Sequence, residues 1–248
     1  MRTKILEKLN EIEKEKGVEI LFAVESGSRA WGFESPDSDY DIRFVYKHKL
    51  DWYLNLSEKT DTIEFMTEDD LDGSGWDLRK TLRLLNKSNT SFLGWLFSPI
   101  IYRVDEDFME ELKKLTEKSF NPIAGFHHYH SMCKNFEEIL CTNELTIKGY
   151  FYAIRTALCA NWIYKKETIP PVLFRELYPI IDVKFHSKLD ELIELKSKLI
   201  EKEKVEIPLE LIELAKKIFA ENESVKDKLK SGKSNAEALN EFFLKQLL

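Results

Sequence analysis

The strongest constraint on this chain is a short apolar run that ends in a glycine–serine turn, followed by two aspartates at the head of a second apolar run. Ile20-Leu21-Phe22-Ala23-Val24 is continuous, short and bounded by polar residues, which predicts a strand buried on both faces. Glu25-Ser26 leads into Gly27-Ser28-Arg29-Ala30-Trp31-Gly32-Phe33, and Ser38-Asp39-Tyr40-Asp41-Ile42-Arg43-Phe44-Val45-Tyr46 then opens the second strand. Successive strand side chains alternate between faces. Asp39 and Asp41 therefore project to one side, and Ile42, Phe44 and Tyr46 to the other.

These residue types dictate the chemistry. Gly27 permits backbone dihedrals and close approaches that a Cβ forbids, and Ser28 adds a hydroxyl beside exposed N–H groups, so the pair predicts an anion cradle. Two carboxylates this close, with no cationic partner read beside them, repel unless a divalent cation sits between them. Oxygen ligands with a phosphate partner favour magnesium or manganese over zinc. An Asp-x-Asp pair alone is usually a solvated loop, and a Gly-Ser turn alone says little. The order of strand, turn, short connection and acids opening a second strand is what points to a grip on a triphosphate and its metal.

Composition bounds the setting. A chain of 248 residues can bury a sizeable core, as one large domain or as two smaller units. Hydrophobic content of 43% with 33% charged residues fits a globular protein rather than a disordered one. No apolar stretch approaches a membrane span, and Met1-Arg2-Thr3-Lys4-Ile5-Leu6-Glu7 lacks the apolar core of a signal peptide, so the expectation is a cytoplasmic protein with no membrane partner. A net charge of −7 argues against broad coating of nucleic acid but leaves a local basic groove open. Cys133, Cys141 and Cys159 show no Cys-x-x-Cys spacing and read as buried thiols. His127, His128 and His130 lack a matching carboxylate or cysteine and read as helix-surface and interface residues.

The organisation changes near residue 100. Before it lie an amphipathic helix with Ile5, Leu6, Leu9 and Ile12 at helical spacing, the two motif strands, and a third strand over Thr62 to Thr67. After it nearly everything reads as helix. Asn121-Pro122 opens one helix to about Cys141, another runs from Thr146 to Lys165, and Pro170-Pro171 interrupts the chain beyond it. From His186 the chain is rich in Lys and Glu, with Leu189, Leu192, Ile193, Leu195 and Leu199 along one side. For a third acid, periodicity does not select among Glu64, Asp69, Asp70 and Asp72, and Gly73 and Gly75 read as flexible. Arg79, Arg83 and Lys87 share a helix face, and Arg29, Arg79 and Lys80 are candidates to reach phosphate. Tyr152 and Arg155, one helical turn apart, can present an aromatic plane and a cation to a nucleotide; a buried arginine is the alternative. Trp31 and Trp76 lie beside the motifs, where they could stack a base.

Gly27-Ser28 followed by Asp39 and Asp41 resembles the nucleotidyltransferases of the DNA polymerase β superfamily. Three segments are similar to one branch: Gly27-Ser28-Arg29-Ala30-Trp31-Gly32 with Ser38-Asp39-Tyr40-Asp41, then Leu71-Asp72-Gly73-Ser74-Gly75-Trp76-Asp77-Leu78-Arg79-Lys80, and Gly149-Tyr150-Phe151-Tyr152-Ala153-Ile154-Arg155. That branch is the predicted nucleotidyltransferases of the YcgL type, some encoded near RNA ligases and suspected in RNA repair. The resemblance implies an α+β fold, with a small mixed sheet and flanking helices as the nucleotidyltransferase core over 1–100 and an all-helical C-terminal region over 101–248. It favours Asp72 as the third acid with Asp39 and Asp41, all three as catalytic and metal ligands for magnesium or manganese. It implies an NTP substrate bound by Gly27, Ser28, Arg29, Lys80, Tyr152 and Arg155. The acceptor stays open between an RNA end, a protein side chain modified with AMP, and a small molecule; a binding module for nucleotide or RNA without turnover is the reading from another class.

Overall fold

The computed structural model describes residues 1–57, 59–67, 71–137 (135–137 by backbone alone), 145–201, 203, 205–229, 232 and 235–248. The chain divides into two compact units. The first comprises Met1–Ala30, Asp39–Ser119 and Lys233–Leu248, and the second Trp31–Ser38 and Phe120–Gly232. The division therefore falls after Ser119 rather than near residue 100, and each unit takes in a segment distant in sequence.

The first unit opens with α1 (Arg2–Lys16), whose Ile5, Leu9 and Ile12 are buried, and which ends at Gly17 in the left-handed conformation, φ 62°. Then come β1 (Glu19–Glu25), the short α2 (Gly27–Trp31), β2 (Tyr40–Lys47), α3 (Leu50–Tyr53), β3 (Thr62–Met66), β4 (Leu71–Asp77), α4 (Leu78–Asn86), α5 (Thr90–Leu96), β5 (Ile101–Val104) and α6 (Glu106–Ser119). The strands form one sheet in the order β3-β4-β2-β1-β5; only β2 and β4 are parallel. On one face Ile20, Ala23, Ile42, Phe44 and Tyr46 pack with Ile5, Leu9 and Ile12 of α1. On the other, Leu21, Val24 and Val45 pack with Leu78, Leu82 and Leu85 of α4 and Phe108 and Leu112 of α6. This is the mixed α+β sheet that the sequence implies.

β4 is the element the sequence disguises. Gly73 and Gly75 are strand residues, not flexible ones: an added Cβ would fall 2.0 Å from the Phe65 ring at Gly73 and 2.1 Å from the Phe44 ring at Gly75. Two aromatic rings from the neighbouring strands lie where side chains would be, so the strand needs the missing Cβ atoms to pack.

The second unit is helical: α7 (Pro122–Glu137), α8 (Ile147–Lys166), two 3₁₀ turns (Phe174–Ile180 and Val183–Phe185), α9 (His186–Lys196) and α10 (Leu209–Val225). Thr146 caps α8, its hydroxyl accepting from Gly149 N–H at 3.0 Å. α8 is buried along most of its length, with Tyr150, Phe151, Ile154, Ala157, Leu158 and Ile163 in the core. The Trp31–Ser38 segment belongs here: Phe33 stacks on Phe151 (centroids 4.9 Å apart) and meets Phe174 edge-on at 5.7 Å. The buried stripe of α9 is Leu189, Leu192, Ile193 and Lys196, while Leu195 is exposed, so a lysine takes the position expected for a leucine. Cys133 and Cys159 are buried free thiols, as expected; Cys141 lies outside the described residues. The last helix, α11 (Ala236–Leu247), returns to the first unit, adding Leu239 and Phe242 to the α4/α6 core.

Candidate active site

The carboxylates come from the two central strands of the parallel pair. Register aligns Asp41 of β2 with Asp72 of β4 and Arg43 with Ser74, so Asp41, Arg43 and Asp72 share one sheet face. Arg43 Nη2 donates to Asp41 Oδ1 at 2.8 Å and to Asp72 Oδ2 at 2.9 Å; its Nη1 donates to the carbonyls of Ile42 (3.1 Å) and Asp72 (2.9 Å). The two acids thus have a cationic partner, contrary to the sequence reading. It lies two residues beyond Asp41, where strand alternation alone places it on the acids' side.

The turn after β1 is built around Asp41. The Asp41 N–H donates to Glu25 Oε1 at 2.7 Å and its carbonyl accepts from Ser26 N–H at 2.8 Å. Glu25 is buried and also accepts from the Tyr102 hydroxyl. Gly27 has φ 61°, and a Cβ there would come 1.9 Å from Asp41 Oδ2. Its glycine is required first by the Asp41 carboxylate lying against it. Ser28 is buried in α2, and Arg29 binds the turn to the second motif, with Nε donating to the Asp39 carbonyl at 3.1 Å and its guanidinium 4.0 Å from the Tyr40 ring centroid.

Electrostatics place Asp41 at the centre of the group. Burial pushes its carboxyl up, Arg43 holds it down, and Asp72 and then Asp39 push it up again. Burial likewise raises Glu25, opposed by its hydrogen bonds to Tyr102 and Asp41. Asp39 itself is exposed. The donor set is all oxygen, which suits magnesium or manganese. Among the described residues, however, no three His, Cys, Asp or Glu side chains stand ready to hold an ion between them, and Arg43 fills the gap that Asp41 and Asp72 share.

The other predicted residues are dispersed. Glu64 is exposed on β3 opposite Ser74, and the acids that act on Asp41 are Asp72 and Asp39; Asp69 and Asp70 lie outside the described residues. Lys80 is not with the acids. Its Nζ pairs with Asp61 Oδ1 at 2.9 Å and binds the Thr62 hydroxyl, beyond the far end of β4 and roughly 17 Å of strand from Asp72. There it borders a cavity of about 340 Å³ shared with Lys59, Arg79 and Arg83. Arg155 is buried within the helical unit, its guanidinium 4.3 Å from the Trp31 ring centroid and its Nη2 donating to the Val172 carbonyl at 3.2 Å, so its charge is used internally. Tyr152 meets Trp31 edge-on at 5.0 Å. Trp76 packs on Trp95 with centroids 3.8 Å apart. His127 is exposed and His130 is buried against Glu223, Nε2 to Oε2 2.7 Å.

With this geometry in view, comparison with known proteins is decisive at the level of family. Residues 1–245 match the family described as RlaP, the RNA repair pathway DNA polymerase beta family. The chain belongs to that family. The resemblance carried by Gly27-Ser28, Asp39, Asp41 and Asp72 is borne out, and RlaP membership places the chain among polymerase β-like nucleotidyltransferases linked to RNA repair. The chain is 45% identical over 201 residues to the uncharacterized Bacillus subtilis (strain 168) protein YcgL, covering 79% of this chain and 76% of that one. A nucleotidyltransferase-like protein of known structure from Exiguobacterium sibiricum 255-15 is 14% identical, with 88% of this chain and 74% of that chain covered and a TM-score of 0.38, too low to carry an argument. No helix among the described residues is long and apolar enough to cross a membrane.

Proposed function

We propose that this RlaP-family chain transfers a nucleoside monophosphate from an NTP to a hydroxyl at an RNA end, releasing pyrophosphate. The observation that carries the reading is the Asp41–Asp72 pair, aligned in register on adjacent parallel strands with Gly27 packed against Asp41. In the reaction the acceptor oxygen bonds to the α-phosphorus, the bond to the β-phosphate oxygen breaks, and the hydroxyl proton leaves. Asp39, Asp41 and Asp72 would hold magnesium or manganese, which when bound neutralises phosphate charge and favours the acceptor alkoxide. Gly27 keeps the Asp41 carboxylate seated, Glu25 fixes its backbone, and the Gly27-Ser28 turn offers N–H and hydroxyl donors to phosphate. Arg29 ties this turn to the Asp39 backbone, so that phosphate donors and acids move together. RNA as acceptor is supported by the family's link to RNA repair.

The test is incubation of the purified protein with each α-labelled NTP, magnesium and total RNA or total protein. Labelled RNA, lost in Asp41→Asn and Asp72→Asn, is the expected result. Labelled protein would reassign the acceptor to a protein side chain, and saturable NTP binding without transfer would make the chain a binding module.

A further inference from the structure

We propose that Arg43 is a built-in cation of the carboxylate site, filling the space between Asp41 and Asp72 so that the site takes up one divalent ion rather than two. The inference rests on the metal-dependent reading above. Nη2 lies 2.8 Å from Asp41 Oδ1 and 2.9 Å from Asp72 Oδ2, so one oxygen of each acid is committed to the guanidinium. The remaining Asp41 oxygen, Oδ2, is the atom packed against Gly27. Two ions roughly 3.5–4 Å apart, the spacing of two-metal sites, would both need this pair of carboxylates to bridge them.

Three features hold Arg43 in place. Two of its four hydrogen bonds go to the main-chain carbonyls of Ile42 and Asp72, which ligand exchange at the carboxylates would not release. It sits on β2, an interior strand between β4 and β1, and its side chain is 17% exposed. Guanidinium does not lose its proton at any working pH, so the charge is permanent. Charge balance agrees: Asp39, Asp41 and Asp72 with one arginine leave two negative charges, which a single divalent ion neutralises.

Binding of Mn²⁺ alone to the full-length, nucleotide-free protein tests this by electron paramagnetic resonance, which counts bound ions and shows whether two lie close enough to couple. Wild type is expected to take up one Mn²⁺ per chain at this site with a mononuclear spectrum, and Arg43→Gln two with the spectrum of a coupled pair. A coupled pair in wild type, or Arg43→Gln folded and unchanged in stoichiometry, overturns the proposal and leaves metal-dependent transfer standing. Should Arg43→Gln not fold, the wild-type spectrum at saturating Mn²⁺ decides between one ion and a coupled pair. No uptake by wild type, or uptake that Asp41→Asn leaves unchanged, overturns the metal-dependent reading and this proposal with it.

Discussion

At Gly27 two demands coincide: a left-handed backbone, φ 61°, and the contact with Asp41 Oδ2 that leaves no room for a Cβ. Gly27→Ala should therefore lower unfolding free energy by about 1–3 kcal/mol, the cost of holding a non-glycine residue in such a conformation. It should also reduce transfer more than that loss of stability accounts for, because the methyl displaces the Asp41 carboxylate. Urea unfolding and transfer rates on the same samples check both halves; a wild-type urea midpoint would refute the conformational argument. Asp41→Asn is expected to abolish transfer while leaving the metal-free melting temperature equal or higher. The cause differs from the repulsion between unpartnered acids that the sequence suggests, since Arg43 bridges the acids and burial is the largest influence on Asp41. A fall of several degrees would show that pairing with Arg43 outweighs burial. Asp39, Asp41 and Asp72 were legible because acids at strand spacing after a Gly-Ser turn form an unusual order. Arg43 stood in the same alternation, two residues on, but its role depends on the β2–β4 register, which no local pattern gives.

Among the elements, α9 departs furthest from its pattern. Helical periodicity from Leu189 through Leu192 and Ile193 selects position 196 next, and the residue there is Lys196, fully buried with Nζ donating to Ser35 Oγ at 2.8 Å. A reading that looks for leucines passes to Leu195, which is 38% exposed. Strand β4 was hidden for a similar reason. Its glycines carry turn signals, and only the rings of Phe44 and Phe65 show why a strand needs them. α7 and α8, with apolar residues and caps in agreement, were readable to within a few residues at their described ends. Burial lowers Lys196 below its ordinary 10.5; Glu201 opposes this, Lys148 adds to it, and Asp37 and Glu34 oppose it. Below the lowered folded value both states hold the proton and the penalty is constant. As pH rises from there toward 10.5 the unfolded chain binds more protons, so this residue makes stability rise with pH. Lys196→Met should remove that rise. Unfolding free energies of both proteins at several alkaline pH values give the difference, which should narrow in favour of wild type as pH increases; parallel curves would mean that Lys196 does not titrate differently in the fold.

On the scale of the whole molecule, neither unit is a continuous stretch of chain. The residues between the Gly27-Ser28 turn and Asp39 fold into the helical unit, where Lys196 holds Ser35, Ser38 Oγ donates to Glu201 at 3.1 Å, and Phe33 is buried against Phe151 and Phe174. A boundary drawn from composition near residue 100 could not show this, because the shift from strands to helices marks a change of element type, whereas the units are set by which apolar faces meet. The same logic applies at the C-terminus. α11 comes after the helical unit in sequence but packs on α4, placing Leu239 and Phe242 in a core with Leu82, Phe108 and Leu112, while Lys245 pairs with Glu111 at 2.6 Å. That ion pair is exposed and contributes little. The two buried side chains matter more, at about 1.5–3 kcal/mol each. Ending the chain at residue 234 should thus lower unfolding free energy by roughly 3–6 kcal/mol, with the loss falling on the sheet-bearing unit. Hydrogen exchange would locate it: β1, β2 and α4 should lose protection while α8 and α10 keep theirs. Equal loss across both sets would mean that the units unfold together, and unchanged protection in β1, β2 and α4 would mean that α11 is not part of the first unit's core.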